Sequence, residues 1–210
     1  IGHPDDAIKH GIGMVHQHFI LVRPLSVVEN IIVGTDAARM FLNLSEATSR
    51  LEKLCADYDL TLDLSAKIWQ LSVAEQQWVE ILKALFGGVK LLILDEPTAV
   101  LTPQEADKLF VILRKMKREG LSILFITHKL NEVLEVSDRV TVLRKGEKIA
   151  TVNTADVTRE DLARMMVGRD VVFRLDKPEV TIGEPILEVK EISCHNDRKQ
   201  VALHNLSLTL

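Results

Sequence analysis

Aromatic residues are scarce, 4% of the 210 positions, so aliphatic side chains must build the core. Cysteine is scarcer still. Cys55 and Cys194 lie far apart and without metal spacing, which makes a reduced, cytoplasmic setting the default. No apolar run approaches the roughly 20 residues of a membrane span, and no signal peptide opens the chain. A strong charge of one sign is also lacking. The 26 basic and 30 acidic side chains leave a net −4, which gives no support to a nucleic-acid or anionic-membrane surface. The first residue is Ile1 rather than Met, as expected of a fragment or a processed chain. What remains is 47% hydrophobic and 27% charged, an ordinary globular composition. It suffices for one domain, or for one domain and part of another.

The most informative stretch is residues 91–102, LLILDEPTAVLT. Leu91 to Leu94 are too few for a helix and suit a strand buried on both faces. Asp95 and Glu96 follow at once, and Pro97 can neither continue a ladder nor leave Glu96 helical. Two carboxylates therefore sit at the carboxyl end of a buried strand, where open α/β sheets place their ligands. Taken alone, the pair reads first as an acidic turn after a strand.

Elsewhere the pattern alternates strand and helix, which argues for a parallel sheet in an α/β fold. Ile12 to Val15 reads as a short strand leading to His16-Gln17-His18. Residues 1–12 are mixed and Gly-containing, and Phe19 to Leu25 reads as an apolar loop broken by Arg23-Pro24. Ser26-Val27-Val28-Glu29 is a capping box opening a short helix that ends near Gly34. A second helix covers 45–58 with Ser45 as N-cap, while Leu60 to Leu71 alternates without commitment. Ser72-Val73-Ala74-Glu75 is another capping box, and Gly87-Gly88 ends its helix. Thr102, Pro103 and Glu105 start a helix running to Gly120. Ser122 to Ile126 forms a second buried strand ending at Thr127-His128, followed by a helix over about 129–136. Lys145-Gly146 marks a hairpin between Arg139–Leu143 and Lys148–Val152. Thr158 caps a helix finishing at Gly168, residues 174–185 read as a linker, and two strands are expected at 186–192 and 201–210.

Four elements arrive in a fixed order: Gln17, LSVAEQQ at 71–77, ILDEPTAVLT, and ITH ending at His128. Together they resemble the later part of an ATP-binding-cassette (ABC) nucleotide-binding domain. GIGMVHQHF and DEPTAVLTPQE are similar to the fused, two-cassette ATPases of importers for nucleosides and simple sugars. That resemblance implies an ATP-hydrolysing subunit on the cytoplasmic face of the membrane. Its partners would be a second cassette of the same chain, transmembrane permease subunits and, indirectly, a substrate-binding lipoprotein, with no nucleic acid. It implies residues 1–170 as part of a first cassette with a helical subdomain over about 18–88, a linker over 171–185, and the start of a second cassette at 186–210.

The same resemblance assigns site residues, with ATP and Mg²⁺ as cofactors. Asp95 would hold Mg²⁺ and Glu96 would polarise the attacking water. Gln17 would contact Mg²⁺ or water and sense the membrane subunits. His16 and His18 bracket Gln17, but no third metal ligand lies nearby. His128 would contact the γ-phosphate. Ser72, Val73, Ala74, Glu75 and Gln76 would form the signature motif, whose helix N-terminus offers N–H groups and positive dipole to ATP of the opposite cassette. Ala99 to Thr102 would form the D-loop, which crosses to that cassette. An ordinary capped helix explains Ser72 to Glu75 equally well.

The chain departs from the family pattern at Ala74, where Gly is expected, and at Trp78, where Arg is expected. A methyl at position 74 crowds the backbone approach to phosphate. No GxxxxGK[ST] occurs anywhere, so the phosphate-cradling loop is absent from these 210 residues. The aromatic residue that stacks on adenine would also precede Ile1. This segment alone is expected to bind ATP weakly or not at all, to be inactive, and to leave an apolar sheet edge uncovered. Two alternatives stand beside an importer ATPase: a soluble ABC protein outside transport, and a catalytically silent scaffold cassette. AVLT after DEPT, where the former class usually shows Asn-His-Leu-Asp, and the acidic balance argue against the former.

Overall fold

The computed structural model describes residues 2–33, 44–168, 183–195 and 201–210. The chain divides into two compact units, Ile1–Val171 and Val172–Leu210. Gly34, the turn at Asn196-Asp197 and most of the expected linker lie outside the described residues.

The first unit is built on a parallel sheet of β1 (Ile12–Val15), β2 (Leu91–Asp95) and β3 (Ser122–Ile126), in that spatial order. Ile12 pairs with Leu91 and Leu91 with Ser122, so residues in register share a face. One face carries Gly13, Val15, Leu92, Leu94, Ile123 and Phe125. It is covered by α4 (Val73–Phe86) and α5 (Pro103–Arg118), whose Ile81, Leu109, Leu113 and Met116 join Val15, Leu92 and Leu94 in one buried cluster. Phe110 meets Phe125 edge-on within it, ring centroids 6.1 Å apart. The opposite face carries Ile12, Met14, Leu91, Ile93, Asp95, Leu124 and Ile126, and stands open: Met14, Leu124 and Ile126 are 41%, 50% and 43% exposed. The strand expected to be buried on both faces is therefore buried on one.

A second cluster joins α2 (Val27–Val33), α3 (Leu44–Asp57) and the other side of α4 through Val27, Ile31, Leu51, Val79, Leu82 and Phe86. Arg50 fastens α3 to the end of α4, donating to the Phe86 carbonyl at 2.9 Å while its guanidinium stacks 4.4 Å from the Phe86 ring centroid. Trp78 leans on the sheet-side cluster, so the departure at that position has a packing role.

Local chemistry explains the element boundaries. Ser26 with Glu29, Ser72 with Glu75, and Thr102 with Glu105 each exchange reciprocal capping hydrogen bonds. Thr158 does the same with Asp161 before α7 (Arg159–Val167). Lys145 and Gly146 both have positive φ, 52° and 80°, and join β4 (Arg139–Arg144) to β5 (Glu147–Asn153) as a type I′ turn. Two expectations need correction. Residues 1–12 contain a helix, α1 (Pro4–Lys9), because Pro4 starts it and His3 and Asp6 cap each other. Ser45 lies inside α3, which already includes Leu44, and so is not its N-cap. The short α6 (Leu130–Val136) follows His128.

The second unit contains an antiparallel pair, β6 (Glu188–His195) and β7 (Val201–Thr209). The first of these strands extends to His195, past the expected end at Ile192.

Candidate active site

The site forms where β2 and β3 end side by side. Asp95 is the last residue of β2, paired with Ile126, and strand alternation puts it on the open face of the sheet. Glu96 extends the ladder by one bond, its N–H donating to the Ile126 carbonyl at 2.9 Å. Its carbonyl then turns back to accept from Ala99 N–H at 3.0 Å. Pro97 suits the second position of that turn. The cost falls on Glu96 itself, which takes a left-handed φ of 45° that ordinary side chains avoid.

This turn aims the Glu96 carboxylate at two residues from distant parts of the chain. Gln17 Nε2 donates to its Oε2 at 3.3 Å, from just beyond the end of β1. His128 Nδ1 lies 2.8 Å from its Oε1, from just beyond the end of β3. Three parallel strands thus deliver three polar side chains to one point. The Glu96 side chain is 28% exposed and His128 66%, so water reaches both.

Asp95 is half-buried, and its carboxylate has no hydrogen-bond partner among the described residues. Because Gln17 donates through nitrogen, its amide oxygen remains an acceptor. Among the described residues no group of three His, Cys, Asp or Glu side chains could hold a metal unaided. Mg²⁺ needs no such cage: it takes one or two carboxylates and keeps waters and phosphate oxygens. Asp95 and the Gln17 amide each offer an oxygen of the kind that Mg²⁺ takes.

None of the other expected site residues has a side-chain hydrogen bond to Glu96, Gln17 or His128 among the described residues. The hydrogen bonds of Ser72 to Gln76 among the described residues stay local. Ser72 and Glu75 cap each other, and Gln76 Nε2 donates to the Leu71 carbonyl at 3.0 Å. Ser72 and Val73 are exposed, whereas Ala74 is buried at 8% exposure. Ala99 is exposed beside the Glu96 turn, and Thr102 is exposed and occupied as the cap of α5.

Residues that the sequence did not single out support the site. Glu80 of α4 is buried and accepts the backbone N–H of Ile20 at 2.7 Å, three residues after Gln17. Asn30 of α2 clamps Val22 in both directions, accepting its N–H at 2.7 Å and donating to its carbonyl at 3.0 Å. Thr98, Thr127, Lys129 and Glu132 form a polar knot beneath Glu96 and His128. An acidic residue one turn after His128 was the only signal for Glu132, and it reads as an ordinary helix-dipole partner.

Among the described residues, no helix is long and apolar enough to cross a membrane. The family described as ABC transporter matches residues 3–99. The glucose import ATP-binding protein TsgD13 of Haloferax volcanii is 48% identical over 99% of this chain and 43% of its own length. The nucleoside import ATP-binding protein NupA of Lactococcus lactis subsp. cremoris is 44% identical over 99% of this chain and 41% of its own. The chain spans about two fifths of the length of these curated relatives. Among solved structures, cbiO1 of Clostridium perfringens, described as part of an ABC transporter complex, superposes with a TM-score of 0.63 at 28% identity, over 74% of this chain and 62% of that one. The chain therefore has the α/β fold of ABC cassettes, and its sequence is similar to those of ATP-binding proteins named for glucose and nucleoside import.

Proposed function

We propose that this chain is part of an ATP-hydrolysing subunit that powers import of sugars or nucleosides. The observation that carries this reading is the Glu96 carboxylate, held by Gln17 and His128 at the end of the sheet with Asp95 beside it. Each Glu96 oxygen is engaged once and keeps a second lone pair for a water. Fixed at both oxygens, the carboxylate can orient that water and take up its proton as the water attacks a phosphorus atom. A carboxylate partner selects the Nδ1–H form of His128, whose bare Nε2 accepts from the water; only the imidazolium form would donate there to a phosphate oxygen. Asp95 and the Gln17 oxygen would hold Mg²⁺, which neutralises phosphate charge when bound.

Within this reading, Ser72 to Gln76 and the Ala99 to Thr102 turn face the ATP of an opposing cassette. The uncapped N–H groups of Val73 and Ala74 are the ones that a phosphate would meet there. Residues 1–170 form part of one cassette and 186–210 begin a second, with 171–185 between them. The apolar loop from Phe19 to Leu25, clamped by Glu80 and Asn30, is the surface offered to a transmembrane permease, and a substrate-binding lipoprotein supplies that permease. The working place is the cytoplasmic face of the membrane. The 210 residues alone bind ATP weakly, since no phosphate loop is among them.

Glu96→Gln in the protein carrying this sequence, assayed with its permease, tests the reading. ATP turnover should fall at least about a hundredfold while ATP binding is retained. Unchanged turnover would favour a silent scaffold instead.

A further inference from the structure

Glu132 is a carboxylate taken almost wholly out of water, 8% exposed, yet none of the roles above uses it. Its Oε1 accepts from Thr98 Oγ1 at 2.6 Å and lies 3.2 Å from Lys129 Nζ. Its Oε2 accepts from Thr127 Oγ1 at 3.0 Å. Lys129 completes the ring: Nζ donates to the Thr98 carbonyl at 2.9 Å and to Thr98 Oγ1 at 3.2 Å, and its backbone N–H donates to Thr127 Oγ1 at 3.0 Å. Both hydroxyls therefore donate once and accept once, and the buried charge has a cation beside it. Such a network is satisfied throughout, so it favours one arrangement strongly over alternatives.

What the ring joins gives it meaning. Thr98 lies two residues past Glu96, inside the turn that forces Glu96 to its positive φ. Thr127 and Lys129 are the two neighbours of His128. The His128 ring is 66% exposed and touches Glu96 through one nitrogen, so little packing holds the ring in place. Its position must come from the backbone on either side. We propose that Glu132 is a positioning residue that sets the Glu96–His128 distance by tying the β2 turn to the β3 turn through Thr98, Thr127 and Lys129. This inference rests on the proposed ATPase site, and it adds a single anchor on which both members of the pair depend. A displacement of about 1 Å at a reacting pair can cost a hundredfold in rate.

Two measurements test it on Glu132→Gln, which keeps the shape and removes the charge. First, ring ¹⁵N and ¹H signals of His128 are recorded by NMR in the 210-residue chain. They should move from those of an Nδ1–H form held by a carboxylate toward those of an untethered imidazole. Signals identical to the parent chain would overturn the proposal. Second, in the protein carrying this sequence, kcat for ATP should fall about tenfold or more with KM for ATP little changed. An unaltered kcat would also overturn it. If Glu132→Gln does not fold, Thr98→Val removes one corner of the ring and is judged by the same two outcomes. Glu96→Gln serves as the reference. It should shift the His128 signals directly and stop turnover. Retained turnover in Glu96→Gln defeats the ATPase reading, whereas lost turnover there with silent Glu132 and Thr98 variants defeats only the role of Glu132.

Discussion

Glu96 carries a backbone penalty on the order of 1 kcal/mol for its left-handed φ, and it is maintained by bonds on both sides of its Cα. The N–H continues the sheet and the carbonyl closes the next turn. The same twist turns the side chain out of strand alternation, away from where a regular β residue would point, and toward Gln17 and His128. Glu29 shows a different residue-scale effect. The Ser26 backbone N–H, then the Ser26 hydroxyl and Lys67, hold its carboxyl down to about 2 from an ordinary 4.5. A depressed folded pKa stabilises above the unfolded value and loses that contribution as pH falls from about 4.5 to about 2. Thermal unfolding of Glu29→Gln should therefore lie below that of the parent chain at neutral pH and converge with it across that window. A constant difference would refute the assignment. Asp95, Glu96 and Pro97 were readable from sequence because strand, charge and ring closure are local. Glu132 was not, because its partners lie 34 and 5 residues away and its own surroundings look like any helix start.

At the scale of elements, α4 faces two clusters at once, Val79, Leu82 and Phe86 toward α2 and α3, and Ile81 toward the sheet. Its far end closes against β1. A Cβ added at Gly13 would stand 2.5 Å from Val89 Cγ1, a distance that real contacts avoid, and a tight 3.2 Å from Ala84 Cβ. Gly13→Ala should destabilise the chain by about 1–3 kcal/mol, read as a lower denaturant midpoint with an unchanged slope. Val89→Ala in the same chain should recover part of that loss. The capping boxes, the helix ends at paired glycines and the I′ hairpin were visible in sequence because each is set by three or four neighbouring residues. The helix at Pro4–Lys9 carried the same kind of signal, with Pro first and two acids after it. It is short and buries none of its residues, so no apolar periodicity marked it.

For the whole molecule, the open sheet face dominates. Met14, Leu124 and Ile126 are exposed on a surface that also holds Ile12, Leu91 and Ile93, and among the described residues neither outer strand has a second strand partner. The 210-residue chain should self-associate at high concentration, seen as a rising mass by light scattering. Replacing Leu124 by Lys should reduce that association without unfolding the chain. A monodisperse monomer at all concentrations would contradict this. The parallel order of the sheet has a kinetic side as well. Strands β2 and β3 meet across 31 positions, Leu91 to Ser122, whereas β1 must find β2 across 79, Ile12 to Leu91. Closing the longer loop costs about 0.8 kcal/mol more in chain entropy, so β1 is expected to join a sheet whose other half is already formed. Gln17 travels with β1. Of the three side chains that converge on the site, it should therefore be the last to arrive during folding, and φ-values near zero at Ile12 and Val15 would show it.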